Sequence, residues 1–152
     1  MAFTLTSSAF TDGSAIPVWF TCDGANVSPE LIWTAAPEAA KSFVLIADDP
    51  DAPSGTFTHW VLYDIPGTAH ALPEAQKKDG IGRAGRNDFA KSGYGGPCPP
   101  RGHGAHRYFF TLSAVDIASL GLPDAATRQE VDAKMRGHVV GTAKVMGRYE
   151  RK

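Results

Sequence analysis

Two uninterrupted apolar runs joined by one polar loop constrain this chain more than any other feature. Ser42–Ala47 reads SFVLIA and His59–Ile65 reads HWVLYDI, each bounded by turn signals. Runs of that length fit strands buried on both faces. The connecting segment DDPDAPSGTFT then belongs at one end of a sheet. A third run, RYFFTLSAV at Arg107–Val115, is β-branched and aromatic and predicts another strong strand.

The other segments fit the same class. Phe3–Thr6 and Pro17–Cys22 flank the turn-rich TDGSA and predict an opening pair of strands, and Leu31–Thr34 predicts another after the loop Cys22–Glu30. Thr68–Ser92 is polar and Gly-rich, which predicts a surface excursion with one short strand. Helical spacing occurs only late, where Ala125–Arg136 sets Val131 and Met135 at i, i+4 before a stop at Gly137. Ala143–Glu150 alternates and predicts a closing strand. The expectation is a mainly β chain, an antiparallel β-sandwich with a short helix near the C-terminus, forming a single domain over residues 1–152.

Composition narrows the function classes. With 152 residues, 20% charged and a net charge of −1, the chain lacks the basic excess of a nucleic-acid binder and the charge that would draw it to a membrane surface. No apolar stretch approaches the roughly 20 residues needed to cross a bilayer. MAFTLTSSAF contains no basic leader followed by an apolar run, so a cytoplasmic location is expected. Cys22 and Cys98 are too distant for a CxxC pair, and in a reducing cytosol they default to free thiols.

Polar chemistry concentrates at two loop-to-strand junctions. Asp49 and Asp51 bracket Pro50 ahead of His59, and GYGGPCPPRGHGAHRYFF carries Cys98, Pro99, His106 and Tyr108. His106 and Tyr108 share one strand face, and Arg107 points the other way as an ion-pair partner for an acid. Glycines let backbone N–H groups converge on a small anion, with Gly95, Gly96, Cys98 and Arg101 as the available donors. Each aspartate is expected to orient one imidazole and favour its protonated form toward the ligand. The plainer alternatives are turn capping for the aspartates and a half-buried structural role for His59. Two enzymatic readings also use these residues: a metal-dependent enzyme built on the His/Asp cluster, and a hydrolase with Cys98 as nucleophile, His106 as base and Asp49 as orienter.

DPDAPSGTFTHW followed by GGPCPPRGHGAHRY closely resembles the two signature blocks of the phosphatidylethanolamine-binding protein (PEBP) family, also called Raf-kinase-inhibitor-like proteins. CDGANVSPELIW and GRNDF are similar to its compact bacterial YbhB/YbcL branch. The resemblance implies a large central antiparallel sheet packed on a smaller one, with an anion pocket formed by Asp49, Asp51, His59, His106, Tyr108 and the Cys98 N–H before Pro99. It implies a non-catalytic binding protein without cofactor or metal, taking phosphate, phosphoryl head groups or acetate-like carboxylates. It also implies a homodimer, and a protein kinase or protease as a further partner, with no nucleic acid and no membrane insertion. Exported relatives carry cysteines in both the TCDG and pocket loops, which implies that Cys22 and Cys98 lie within bridging reach. Ala105 departs from the larger aliphatic residue usual before HRY.

Overall fold

The computed structural model describes residues 2–152. Its elements run β1 (Thr4–Thr6), β2 (Leu31–Thr34), β3 (Ser42–Asp49), β4 (Phe57–Pro66), β5 (Ala71–Leu72), β6 (Arg83–Ala84), β7 (His106–Val115), α1 (Arg128–Met135) and β8 (Val139–Tyr149). Two sheets form. A three-stranded sheet has the order β1-β2-β5, and a five-stranded sheet the order β6-β4-β3-β7-β8. Every pairing between these strands is antiparallel.

The apolar runs occupy the middle of the larger sheet because both of its faces are covered. From β3, Phe43, Leu45 and Ala47 point to one side and pack with Trp60, Leu62, Phe110 and Leu112 against Leu5, Leu31, Trp33 and Leu72 of the smaller sheet. The intervening Val44 and Ile46 point to the other side, where Val61 and Tyr63 meet Leu120, Val131 and Met135. Successive strand residues alternate between faces, so a strand sandwiched in this way has no position to spare for a polar residue. Val131 and Met135 are the buried residues of α1, as the i, i+4 spacing requires.

The mainly β antiparallel sandwich is the observed architecture, with differences at the margins. Pro17–Cys22 does not form a strand: Val18–Phe20 is a single 3-10 turn in which the Thr21 N–H and hydroxyl both bond back to the Val18 carbonyl. Only Phe20 of that turn is buried, so the segment lacks the face a strand would bury. The excursion after Thr68 holds two short strands, β5 and β6, one on each sheet. Helix α1 starts at Arg128 because Thr127 and Glu130 form a capping box and Ala125 sits at φ 61°, outside helical geometry. Gly137, at φ 84°, ends the segment in the left-handed region that glycine tolerates. Strand β8 begins four residues before the predicted Ala143, since the whole of β7 back to Val115 needs a pairing partner.

Cys22 and Cys98 form a disulfide, with Cα atoms 5.4 Å apart across 76 residues of chain. The free-thiol expectation drawn from composition is therefore corrected, because two loops remote in sequence are neighbours in space. The Cys22 N–H also donates to the Pro97 carbonyl at 3.1 Å.

Candidate functional site

Strand order places the site. Asp49 ends β3, the central strand of the larger sheet, and has β4 on one side and β7 on the other. Asp48 is registered with Phe109, so Asp49 lies level with Tyr108 on the neighbouring strand, with His106 two residues further along the same face. On the other flank the register slips: Ala47 faces Trp60 but Asp48 faces Thr58, leaving His59 as the extra residue of a β-bulge. A bulge re-aims side chains. Here it turns His59 to the same side as Phe57 and Tyr108, with ring centroids 4.9 and 5.2 Å away.

These residues line a cavity of about 550 Å³. Its polar part includes Asp49, His59, Asp88, His106 and Tyr108, and Cys98 and Pro99 close one side. Its apolar part includes Phe57, Phe89 and Pro100. The two phenyl rings stand 4.8 Å apart and both flank the His59 ring.

The hydrogen bonds assign the protons. His106 Nδ1 lies 2.6 Å from Asp49 Oδ2, and both residues are almost fully buried. A carboxylate has no hydrogen to give, so the imidazole donates. The other oxygen of Asp49 accepts the Asp51 N–H at 2.8 Å. His59 Nδ1 donates to the Gly95 carbonyl at 2.7 Å, which leaves its Nε2 as a bare lone pair when the ring is neutral. Burial holds the His59 pKa below the usual histidine value, outweighing the carbonyls and Asp49 that favour the proton. Tyr108 has a buried hydroxyl with no hydrogen-bond partner among the described residues. Burial, then the charge and nearness of the Asp49 carboxylate, pushes its pKa well up, so this hydroxyl keeps its proton and, with no well-formed hydrogen bond to Asp49, is available to donate.

The structure places several residues otherwise than the sequence reading expects. Asp51 orients no histidine and does not line the cavity; its oxygens take the Arg107 N–H, Nε and Nη2 at 2.8–3.0 Å on the exposed side. Arg107 is indeed an ion-pair partner, though for a surface acid. Of the expected backbone donors, the Gly95 N–H is spent on the His59 carbonyl and the Gly96 N–H on Asn26 Oδ1. Cys98 is no nucleophile, because its sulfur is held in the disulfide. The described residues also bring together no set of three His, Cys, Asp or Glu side chains suited to a metal ion.

Two features escaped the sequence reading. Phe57 opens β4 and Phe89 lies in the loop after β6, and the two meet only through the fold. His103 places Nδ1 2.6 Å from His106 Nε2. Its histidine and flanking glycines were visible in RGHGAH, but nothing in the spacing aims the ring at His106.

The Arg107 guanidinium bonded to Asp51 holds that carboxyl down at about 2. An unfolded aspartate titrates near 3.9, roughly, so this group's contribution to stability is complete above that pH and lost as pH falls toward 2. Asp51→Asn is therefore expected to flatten the acid limb of the stability curve in that window. Urea melts at stepped pH check it, and an unchanged acid limb would mean that the pair is too solvent-screened to matter.

Comparison with known proteins gives the lineage. The family model described as phosphatidylethanolamine-binding protein matches residues 6–150. A UPF0098 protein of Aquifex aeolicus is 52% identical over 149 residues, covering 95% of this chain and 86% of its own. LppC of Mycobacterium tuberculosis, whose name carries the word lipoprotein, is 39% identical over 147 residues, covering 97% and 72%. The crystal structure of Escherichia coli YbcL, described as a member of the mammalian PEBP family, superposes with a TM-score of 0.93 at 32% identity over all of both chains. No described helix is long and apolar enough to cross a membrane. On the strength of the family match across residues 6–150 and the sandwich shared with YbcL, this chain belongs to the phosphatidylethanolamine-binding protein family.

Proposed function

We propose that residues 1–152 act as one domain and that it is a non-catalytic binding protein for a small oxyanion: phosphate, a phosphoryl head group, or an acetate-like carboxylate. The carrying observation is the Tyr108 hydroxyl, buried and unpartnered on the wall of the cavity. A buried donor left unpaired costs stability, and a ligand oxygen removes that cost. Beside it the neutral His59 ring offers a lone pair, so one proton must sit between Nε2 and the ligand, on either partner. The two carboxylates of the wall are occupied by N–H donors, Asp49 by His106 Nδ1–H and the Asp51 N–H and Asp88 by the Thr58 N–H, which lessens their repulsion of an anion. With the Cys98 sulfur tied up in the disulfide, the site holds no thiolate nucleophile, which supports binding over hydrolysis.

Phosphate titration followed by NMR or calorimetry tests this. Tyr108→Phe is expected to weaken phosphate binding about tenfold, the scale of one hydrogen bond to a charged group, while leaving the melting temperature at or above that of the wild type. Affinity is also expected to fall as pH rises beyond about 7, where the shared proton becomes harder to supply. Unchanged affinity in Tyr108→Phe would remove this site from the reading, and a flat pH profile would remove His59 from it.

The disulfide weighs toward an oxidising compartment and against the cytoplasmic expectation. The homodimer stays part of the reading, and the adjacent exposed side chains of Val18 and Trp19 are the apolar surface that would serve it. Nothing in the cavity favours a kinase or protease partner over a small ligand.

A further inference from the structure

His106 has two ring nitrogens, and both are engaged. Nδ1 is held by Asp49, so Nε2 is the only nitrogen it can offer to an oxyanion, and that atom faces His103 Nδ1 at 2.6 Å. Two imidazole nitrogens at this distance share one proton and leave no room for a ligand oxygen. His103 itself is not part of the cavity wall, and its side chain is exposed. It sits in a turn between Gly102 and Gly104, at φ 73° and 88°, where a Cβ added to either glycine would meet nothing within 4 Å. The turn is tied by backbone bonds from Gly102 to Arg151 and from His103 to Pro100, neither of which involves the imidazole.

We propose that His103 is a displaceable plug that determines affinity at the site: it covers His106 Nε2 in the free protein and swings into solvent when an oxyanion arrives. The proton shared by the two rings stays on His106, which then donates to Asp49 through Nδ1 and to the anion through Nε2. His103, which carries a second proton on its own Nε2 because the two rings together hold one positive charge, keeps that proton and departs as a neutral ring. This rests on the binding reading above and adds a third contact to those of Tyr108 and His59. A plug that must leave lowers the apparent affinity by the fraction of molecules in which it has left.

Inorganic phosphate is the probe. Removing one competing hydrogen bond in His103→Ala is expected to tighten phosphate binding about fivefold to tenfold. The gain is expected to vanish in the His106→Ala background, as a double-mutant cycle requires when one residue acts through the other. In the wild type, saturating phosphate is expected to move the His103 ring nitrogen shifts to those of a solvated imidazole. Equal or weaker binding by His103→Ala overturns the plug, as do His103 shifts that stay put at saturation. Wild-type binding that depends on Tyr108 but not on His103 overturns the plug alone, whereas no phosphate binding by either the wild type or His103→Ala overturns the binding reading with it. Binding by His103→Ala where the wild type shows none supports both.

Discussion

Replacing Cys22 and Cys98 together by serine is expected to destabilise the protein by about 2–4 kcal/mol, a fall in melting temperature of roughly 5–15 °C. The bridge closes a loop of 76 residues, for which chain entropy alone would give about 4.5 kcal/mol. The smaller figure is expected because the same two loops are joined in other ways. The Cys22 N–H meets the Pro97 carbonyl, the Gly96 N–H meets Asn26, and the Tyr94 hydroxyl donates to the Phe20 carbonyl at 2.7 Å. Those bonds should keep the cavity wall near its place, so phosphate affinity is expected to fall far less than stability. Thermal melts of the double variant, and of the wild type with and without a dithiol reductant, check this. Identical melting in all of them would mean that the bridge closes no loop that matters in the unfolded chain.

Asp49→Ala is expected to cost about 3–5 kcal/mol, because it strands a buried partner instead of removing a whole pair. His106 is 2% exposed and would lose the acceptor of its Nδ1–H, and the Asp51 N–H would lose its acceptor as well. Asp49→Asn keeps an acceptor in place and is expected to cost less. Asp51→Ala, two residues away, breaks a partly exposed pair with Arg107 and is expected to cost clearly less than Asp49→Ala at neutral pH, because solvent screens what the pair contributes. Chemical denaturation of the three variants gives the comparison. Equal losses for Asp49→Ala and Asp51→Ala would contradict the division into one buried and one exposed carboxylate.

That division separates what the chain announces from what the fold imposes. DPD looks symmetrical in sequence, and both aspartates can be drawn toward the same histidines. The end of β3 decides otherwise: Asp49 keeps the inward alternation of Ala47 and points at His106, while Asp51 lies beyond the strand and turns back to Arg107. The glycine-rich loop gave a similar ambiguity. Its free N–H groups look alike on paper, yet two of those expected to cradle an anion are consumed by His59 and Asn26 in holding the loop itself.

The largely apolar runs SFVLIA, HWVLYDI and RYFFTLSAV by themselves determined that this is a β protein with a covered central sheet, because runs so short, bounded by turn signals and rich in β-branched and aromatic residues, fit strands buried on both faces. They also determined that the polar residues at their ends lie at the edge of that core. Tertiary structure alone decided which of those residues meet. The bulge that turns His59 toward Tyr108, the bridging of two loops 76 residues apart, and the approach of His103 to His106 depend on register and loop packing between strands. The first two are non-local pairings with no neighbour in sequence to signal the contact, and the third, though only three residues apart, depends on how the turn at Gly102–Gly104 aims the His103 ring.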